Sequence, residues 1–233
     1  MKRIGLLGGM SWESSLVYYR LVNEAVRDRV GGLHSADCVL RSVDFAGIEA
    51  LQRAGDWDAA GALLAREAVS LEGAGAELLV LCTNTMHRVA DAITAAVGVP
   101  LVHIADATAD AVRARGLRAV GLLGTAYTME GEFYVGRLRD VHGLDVLVPP
   151  PDDRRRVHEV IYEELCRGLV RPESKAGYLA LIDRLRAAGA DGVILGCTEI
   201  TMLIGQADLD LPVLDTTRIH AEAAMDFALG AGP

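Results

Sequence analysis

Short apolar runs alternate with longer stretches of helical period along the whole chain. Arg3 to Gly8, Cys38 to Val43, Leu78 to Cys82, Val99 to Ile104, Arg118 to Gly124, Val193 to Cys197 and Leu211 to Thr216 read as strands. Trp12 to Arg29, Trp57 to Gly73, Asp106 to Arg115 and Lys175 to Ala188 carry helix formers at helical spacing, and so do Val157 to Arg167 and a last helix from Ile219 to Leu229. Near-continuous apolar strands are what a sheet buried on both faces requires. The alternation therefore predicts an α/β fold with parallel sheets flanked by helices.

The pattern is written twice. Arg3-Ile4-Gly5-Leu6-Leu7-Gly8 returns as Arg118-Ala119-Val120-Gly121-Leu122-Leu123-Gly124, and Gly75-Ala76-Glu77 leading to Cys82-Thr83 returns as Gly189-Ala190-Asp191 leading to Cys197-Thr198. Val99-Pro100-Leu101-Val102 returns as Leu211-Pro212-Val213-Leu214. The offsets are 116 residues from Gly5 to Gly121, 115 from Cys82 to Cys197 and 112 from Pro100 to Pro212. Three near-equal offsets in one order predict two pseudo-symmetric lobes. The first would hold residues 1–100 with 213–233, the second 101–212, and the last helix would pack back on the first.

Composition narrows the function. With 51% hydrophobic residues the chain can bury a large core, and with only 5% aromatic residues that core must rest on Ala, Leu, Val and Ile. The net charge of -9 argues against a nucleic acid or an anionic membrane surface as partner, because both need a basic footprint. No signal peptide or membrane-spanning stretch is read, so the expected place is the cytoplasm, where Cys38, Cys82, Cys166 and Cys197 stay reduced. Their spacing forms no disulfide framework and no zinc pattern, so no metal is expected.

Ligands of parallel α/β sheets collect beyond the carboxyl ends of the strands, where both Cys82 and Cys197 are expected. Each is followed by polar residues, Thr83-Asn84-Thr85 and Thr198-Glu199, suited to capping a following helix whose amides would lower a thiol pKa and hold a substrate carboxylate. Removing a weakly acidic α-proton needs a placed base, and inversion needs a proton donor on the opposite face. A pair of thiols, one from each lobe facing a shared cleft, supplies both. Read singly, either cysteine is a small buried hydrophobe, and Cys38 and Cys166 keep that reading.

Other features read as structural. Gly5-Leu6-Leu7-Gly8-Gly9-Met10 matches neither a Rossmann fingerprint nor a P-loop and is a tight turn, with Ser11 capping the helix from Trp12 and its backbone free to line the cleft. His87, His103 and His220 read as satisfied histidines before acid or base groups. Pro149-Pro150-Pro151 marks a break, followed by the solvated run Asp152 to Arg156.

Gly8-Gly9-Met10-Ser11-Trp12-Glu13-Ser14, Cys82-Thr83-Asn84-Thr85-Met86-His87 and Gly196-Cys197-Thr198-Glu199-Ile200 resemble the aspartate/glutamate racemase superfamily, and within it the broad-specificity amino-acid racemases. Leu122 to Thr125, Tyr127 to Glu130, and Asp215-Thr216 with Ile219-His220-Ala221 are similar as well. The resemblance implies two Rossmann-like lobes, a homodimer, and amino-acid racemisation without a cofactor by Cys82 and Cys197. It implies a substrate site lined by Met10, Ser11, Gln52, Thr83, Asn84, Thr85, Thr125, Glu164, Thr198 and Glu199. Aspartate racemases carry Ile-Pro-Asp-Arg-Thr after the second strand, whose arginine holds the side-chain carboxylate; here the stretch reads Ser42-Val43-Asp44-Phe45-Ala46-Gly47-Ile48-Glu49. Neutral or basic substrates, or a broad set, fit that loss better than a strict aspartate or glutamate enzyme. A related isomerase or decarboxylase of small carboxylic acids, a non-catalytic ligand-binding protein and a dithiol redox protein remain alternatives.

Overall fold

A computed structural model of the chain describes residues 1–230. It divides into two compact units, Met1–Ile104 with the chain from Thr217 onward, and Ala105–Thr216. In the first, β1 (Ile4–Gly8), β2 (Cys38–Ser42), β3 (Leu78–Leu81) and β4 (Leu101–Val102) form a parallel sheet in the order β2-β1-β3-β4. In the second, β5 (Ala119–Gly124), β6 (Asp145–Leu147), β7 (Gly192–Gly196) and β8 (Val213–Asp215) repeat that order as β6-β5-β7-β8, again parallel. The duplication read from the sequence is thus a duplication of topology, and the α/β class with two parallel-sheet lobes holds.

The central strands β1, β3 and β7 are buried at every position, which is why their sequences are unbroken apolar runs. In the first unit, α1 (Trp12–Val30) and α9 (Thr216–Leu229) cover one face through Tyr18, Leu21, Val22, Ala224 and Met225. The other face packs on α2 (Phe45–Ala54) and α3 (Trp57–Gly73) through Ile48, Leu64, Ala68 and Leu71. The expected return of the last helix to the first lobe is seen. Between them lie α4 (Ala90–Thr94), α5 (Ile104–Ala114), α6 (Ala126–Glu130), α7 (Pro151–Glu159) and α8 (Pro172–Ala187).

The unit boundaries differ from those expected. The chain crosses at 104/105 and 216/217, not at 100/101 and 212/213, because Leu101–Val102 completes the first sheet and Val213–Asp215 the second. Pro100 and Pro212 open these edge strands: each accepts through its carbonyl, from the Leu79 amide at 2.8 Å and the Val193 amide at 2.9 Å, while its missing N–H faces no partner strand. Residues 231–233 of the expected first lobe lie outside the described residues. The helical run expected from Val157 to Arg167 is also not uniform. It passes from α7 through a π turn at Val160–Glu164 and a 3-10 turn at Leu165–Arg167, and ends at Gly168 with φ 72°.

Candidate active site

In the first unit, Cys82 is the residue directly after β3. Its amide donates to the Leu7 carbonyl at 2.9 Å, so the ladder with β1 runs one residue past the strand and fixes the cysteine backbone. Gly8 of β1 leads into a loop closed by one side chain: Ser15 Oγ accepts from the Gly9 amide at 2.7 Å and donates to the Ser11 carbonyl at 2.9 Å. Gly9 has φ 92°, and a Cβ there would run into the backbone of Val43, so only glycine fits. Ser11 is the N-cap of α1, accepting from the Ser14 amide at 3.2 Å, with Glu13 in the first turn. Ser14 Oγ in turn donates to the Cys82 carbonyl at 3.2 Å. The glycine-rich turn is tied to the cysteine turn through that bond.

Around Cys82, Asn84, Thr85 and His87 are buried and Thr83 is partly exposed. His87 Nδ1 donates to the Thr83 carbonyl at 2.7 Å and its Nε2 accepts from the Ile104 amide at 3.2 Å, so both ring nitrogens are used and the neutral tautomer is set by that network. Gln52, buried on α2, donates to Met86 Sδ at 2.9 Å, and Met10 and Met86 share the apolar cluster beneath. Of the residues expected at the site, Met10, Ser11, Gln52, Thr83, Asn84 and Thr85 therefore gather with Cys82 in this unit.

In the second unit, Cys197 directly follows β7. Gly124 of β5 pairs with Gly196, so Thr125 lies level with Cys197 at the neighbouring strand end. Thr125 caps α6 by accepting from the Thr128 amide at 3.3 Å. Cys197 Sγ donates to Glu199 Oε2 at 2.8 Å, and Glu199 is buried while Cys197 and Thr198 are partly exposed. Glu164 sits in the π turn, buried, accepting from Ser174 Oγ at 2.5 Å, with Arg156 and Arg171 at 3.9 and 4.0 Å. The 3-10 turn at 165–167 packs on the turn at 198–202. Glu164 thus belongs with the Cys197 side. Ser14, Met86, Ser174 and Tyr178, whose hydroxyl is held by the Val157 carbonyl at 3.0 Å, complete these surroundings and are not among the site residues the sequence marks. Only Ser14 and Met86 fall inside the family-like motifs.

The electrostatics correct one expectation. The sequence predicts helix N-terminal amides behind each thiol, lowering its pKa. The structure places short 3-10 turns there instead, Thr85–Val89 and Thr198–Met202, without a side-chain cap. Burial pushes the Cys82 thiol well above its usual value, with Cys38 adding to it. Burial and then the Glu199 carboxylate push Cys197 up as well. A short turn supplies too few aligned amides to offset a thiolate's desolvation. Both thiols rest protonated.

None of the four cysteines is in a disulfide, and no group of three or more His, Cys, Asp or Glu side chains that could hold a metal is found among the described residues. Among them, too, no helix is long and apolar enough to cross a membrane.

Two α/β units of one topology, each with a thiol immediately past its third strand, define a duplicated strand-end thiol protein. The chain belongs to the Asp/Glu/hydantoin racemase family, whose model matches residues 7–224, and is an isomerase of the amino-acid racemase kind. It is similar to a candidate Asp/Glu racemase from Yersinia pestis at 55% identity, covering 98% of this chain and 100% of that one with a TM-score of 0.93. An aspartate racemase homologue from Pyrococcus horikoshii OT3 shares 36% identity over 98% of this chain and 100% of its own, with a TM-score of 0.86. The broad specificity amino-acid racemase RacX of Bacillus subtilis is 24% identical over 70% of this chain and 69% of its own length.

Proposed function

We propose that the protein inverts the α-carbon of amino acids without a cofactor, with Cys82 and Cys197 acting from opposite faces of one bound substrate. The observation that carries this reading is positional equivalence: each cysteine is the first residue past the third strand of an identically ordered sheet. The proposal requires the two units to present these strand ends to a shared site. One sulfur, as thiolate, takes the α-proton and becomes a thiol, while the electron pair left on the α-carbon spreads into the carboxylate. The other thiol gives its proton to the opposite face and becomes the thiolate. The two sulfurs have exchanged charge states, which readies the enzyme for the other enantiomer.

Both thiols rest protonated, so something must favour the thiolate on binding. The substrate ammonium brings a positive charge beside a buried sulfur, which lowers its pKa. Cys197 has a second device in Glu199, whose carboxylate already accepts its S–H bond and can take the proton outright. Thr83, Asn84, Thr85 and Thr198 supply hydroxyl, amide and backbone donors for the α-carboxylate, and Met10, Ser11, Gln52, Thr125 and Glu164 shape the rest of the site. In the stretch that replaces the aspartate-racemase clamp, Glu49 is paired with Arg53 at 2.6 Å; just before it, Arg41 is paired with Glu67 at 2.5 Å. Neither guanidinium is spare for a side-chain carboxylate, which favours neutral or basic substrates or a broad set. A reducing compartment such as the cytoplasm suits two working thiols.

Incubating the protein with a panel of single-enantiomer amino acids in deuterium oxide, followed by chiral separation and mass analysis, tests the reading. Racemisation with one α-deuterium per inverted molecule is expected; no α-exchange on any amino acid would overturn it. Glu199→Gln keeps the side-chain shape but cannot take a proton, so kcat should fall about 10²-fold with KM nearly unchanged. A raised KM at full kcat would instead give Glu199 a purely substrate-binding role.

A further inference from the structure

The chain passes between its two units at equivalent places. Ile104 and Thr216 are each the first residue of a helix, α5 and α9, that follows the fourth strand of its sheet. The 112-residue offset between Pro100 and Pro212 carries one onto the other. Both are fully buried, and each is tied to the strand end that bears its own unit's cysteine, but by different chemistry. Thr216 Oγ1 donates to the Leu195 carbonyl at 2.9 Å, two residues before Cys197. Isoleucine has no hydroxyl with which to do this. In the first unit the tie runs through the backbone and an imidazole: the Ile104 amide donates to His87 Nε2 at 3.2 Å, and His87 Nδ1 donates to the Thr83 carbonyl at 2.7 Å, one residue after Cys82. The 115-residue offset between the cysteines carries His87 onto Met202, a half-exposed side chain, so the second unit has no counterpart of the bridge. A second imidazole holds the neighbouring peptide of the first crossing, since His220 Nε2 donates to the Val102 carbonyl at 2.8 Å.

We propose that His87 and Thr216 are the positioning residues of Cys82 and Cys197, each holding its cysteine's strand end in register with the point where the chain leaves the unit. Their role rests on the proposed reading of both cysteines as proton-transferring groups. Inversion needs two sulfurs placed at once, and a misplacement of about 1 Å costs on the order of 10²-fold in rate. The covalent links between the units run through these two crossings. A strand end that slips against its crossing therefore shifts one sulfur and not the other. Both ties are made by buried groups, where a lost hydrogen bond costs most. The threonine and the histidine are thus two solutions to one requirement, met separately after the duplication.

Native alkylation with iodoacetamide, mapped at all four cysteines by mass spectrometry, tests the pairing without turnover. His87→Leu should raise the alkylation rate of Cys82 about tenfold and leave Cys197 unchanged, and Thr216→Val should do the reverse. Thr216→Ser keeps the hydroxyl and should restore the wild-type rate at Cys197. General loosening would instead raise all four cysteines together, with Cys38 and Cys166 reporting it. In deuterium oxide, each variant should lose inversion more than α-exchange, His87→Leu for the enantiomer deprotonated by Cys197 and Thr216→Val for its antipode. Thr216→Val differs from the wild type by the hydroxyl alone, so it decides the matter even where His87→Leu perturbs folding. An unchanged rate at the variant's own cysteine, or an equal rise at both, would overturn the proposal. A wild type that racemises no amino acid would overturn the reaction, while the alkylation pattern would still decide the ties.

Discussion

Cys82→Ser and Cys197→Ser each lower racemisation by about 10³-fold or more while the far-ultraviolet circular dichroism spectrum stays that of the wild type. Serine preserves the shape at both positions, but its hydroxyl is too weakly acidic to exist as alkoxide in a site that already disfavours a thiolate. A two-base inversion needs both partners, so neither cysteine can compensate for the other. The remaining thiol can still remove and return a proton on its own face. Each variant is therefore expected to exchange the α-hydrogen of one enantiomer slowly without inverting it, and the two variants should favour opposite enantiomers. Chiral chromatography with mass detection in deuterium oxide reads both quantities. Wild-type racemisation by either variant would remove that cysteine from the chemistry.

The second large effect concerns acid. His87 and His220 are buried in the first unit, their rings 5.5 Å apart, with His103 4.6 Å from His87. His220 Nε2 donates to the Val102 carbonyl at 2.8 Å and its Nδ1 accepts from the Tyr18 hydroxyl at 2.8 Å, while His87 joins Thr83 to Ile104. Each ring is satisfied as the neutral form, and a second proton would meet a donor. Burial lowers the His220 pKa to about 4 and takes His87 well below its ordinary value of 6.5, with the neighbouring histidines adding to the latter. In the unfolded chain both return to about 6.5 and bind protons more readily than the folded state. Stability from these groups is complete above pH 6.5 and declines as the pH falls below it; for His220 the loss continues toward pH 4, by up to about 1.4 kcal/mol per pH unit, and His87 adds in the same direction. Urea titrations across that range should show a falling midpoint, and His220→Gln should flatten the slope by about one proton. A midpoint independent of pH between 6.5 and 4 would contradict the neutral assignment.

These histidines show where sequence reading stops. Cys82 and Cys197 were legible because duplication marks equivalent positions, and central strands were legible because burial on both faces demands unbroken apolar runs. The edge strand β6, Asp145–Leu147, was not: it is short, half exposed and next to three prolines, so it lacks that signature. The boundary strands β4 and β8 fall in the wrong lobes when placed by local pattern, since their partners are fixed by pairing with Leu79, Val80 and Val193 to Leu195. Local pattern also misjudges the turn after each cysteine. Polar residues after a strand suit a helix cap and a 3-10 turn alike, and only the fold shows that the amides there are too few to offset burial. Contacts such as Ser174 to Glu164, or His220 to Tyr18 across 202 residues, leave no trace in spacing.

Cys82 is fully buried beside Cys38, whereas Cys197 is partly exposed and bonded to a carboxylate, so the two halves of the duplication no longer offer equal sulfurs. For a reaction whose substrate and product are mirror images the equilibrium constant is one, and kcat/KM must then be identical in the two directions however unlike the two sulfurs are. The inequality can surface only as kcat and KM rising or falling together between enantiomers. One antipode would bind tightly and turn over slowly, the other bind weakly and turn over fast.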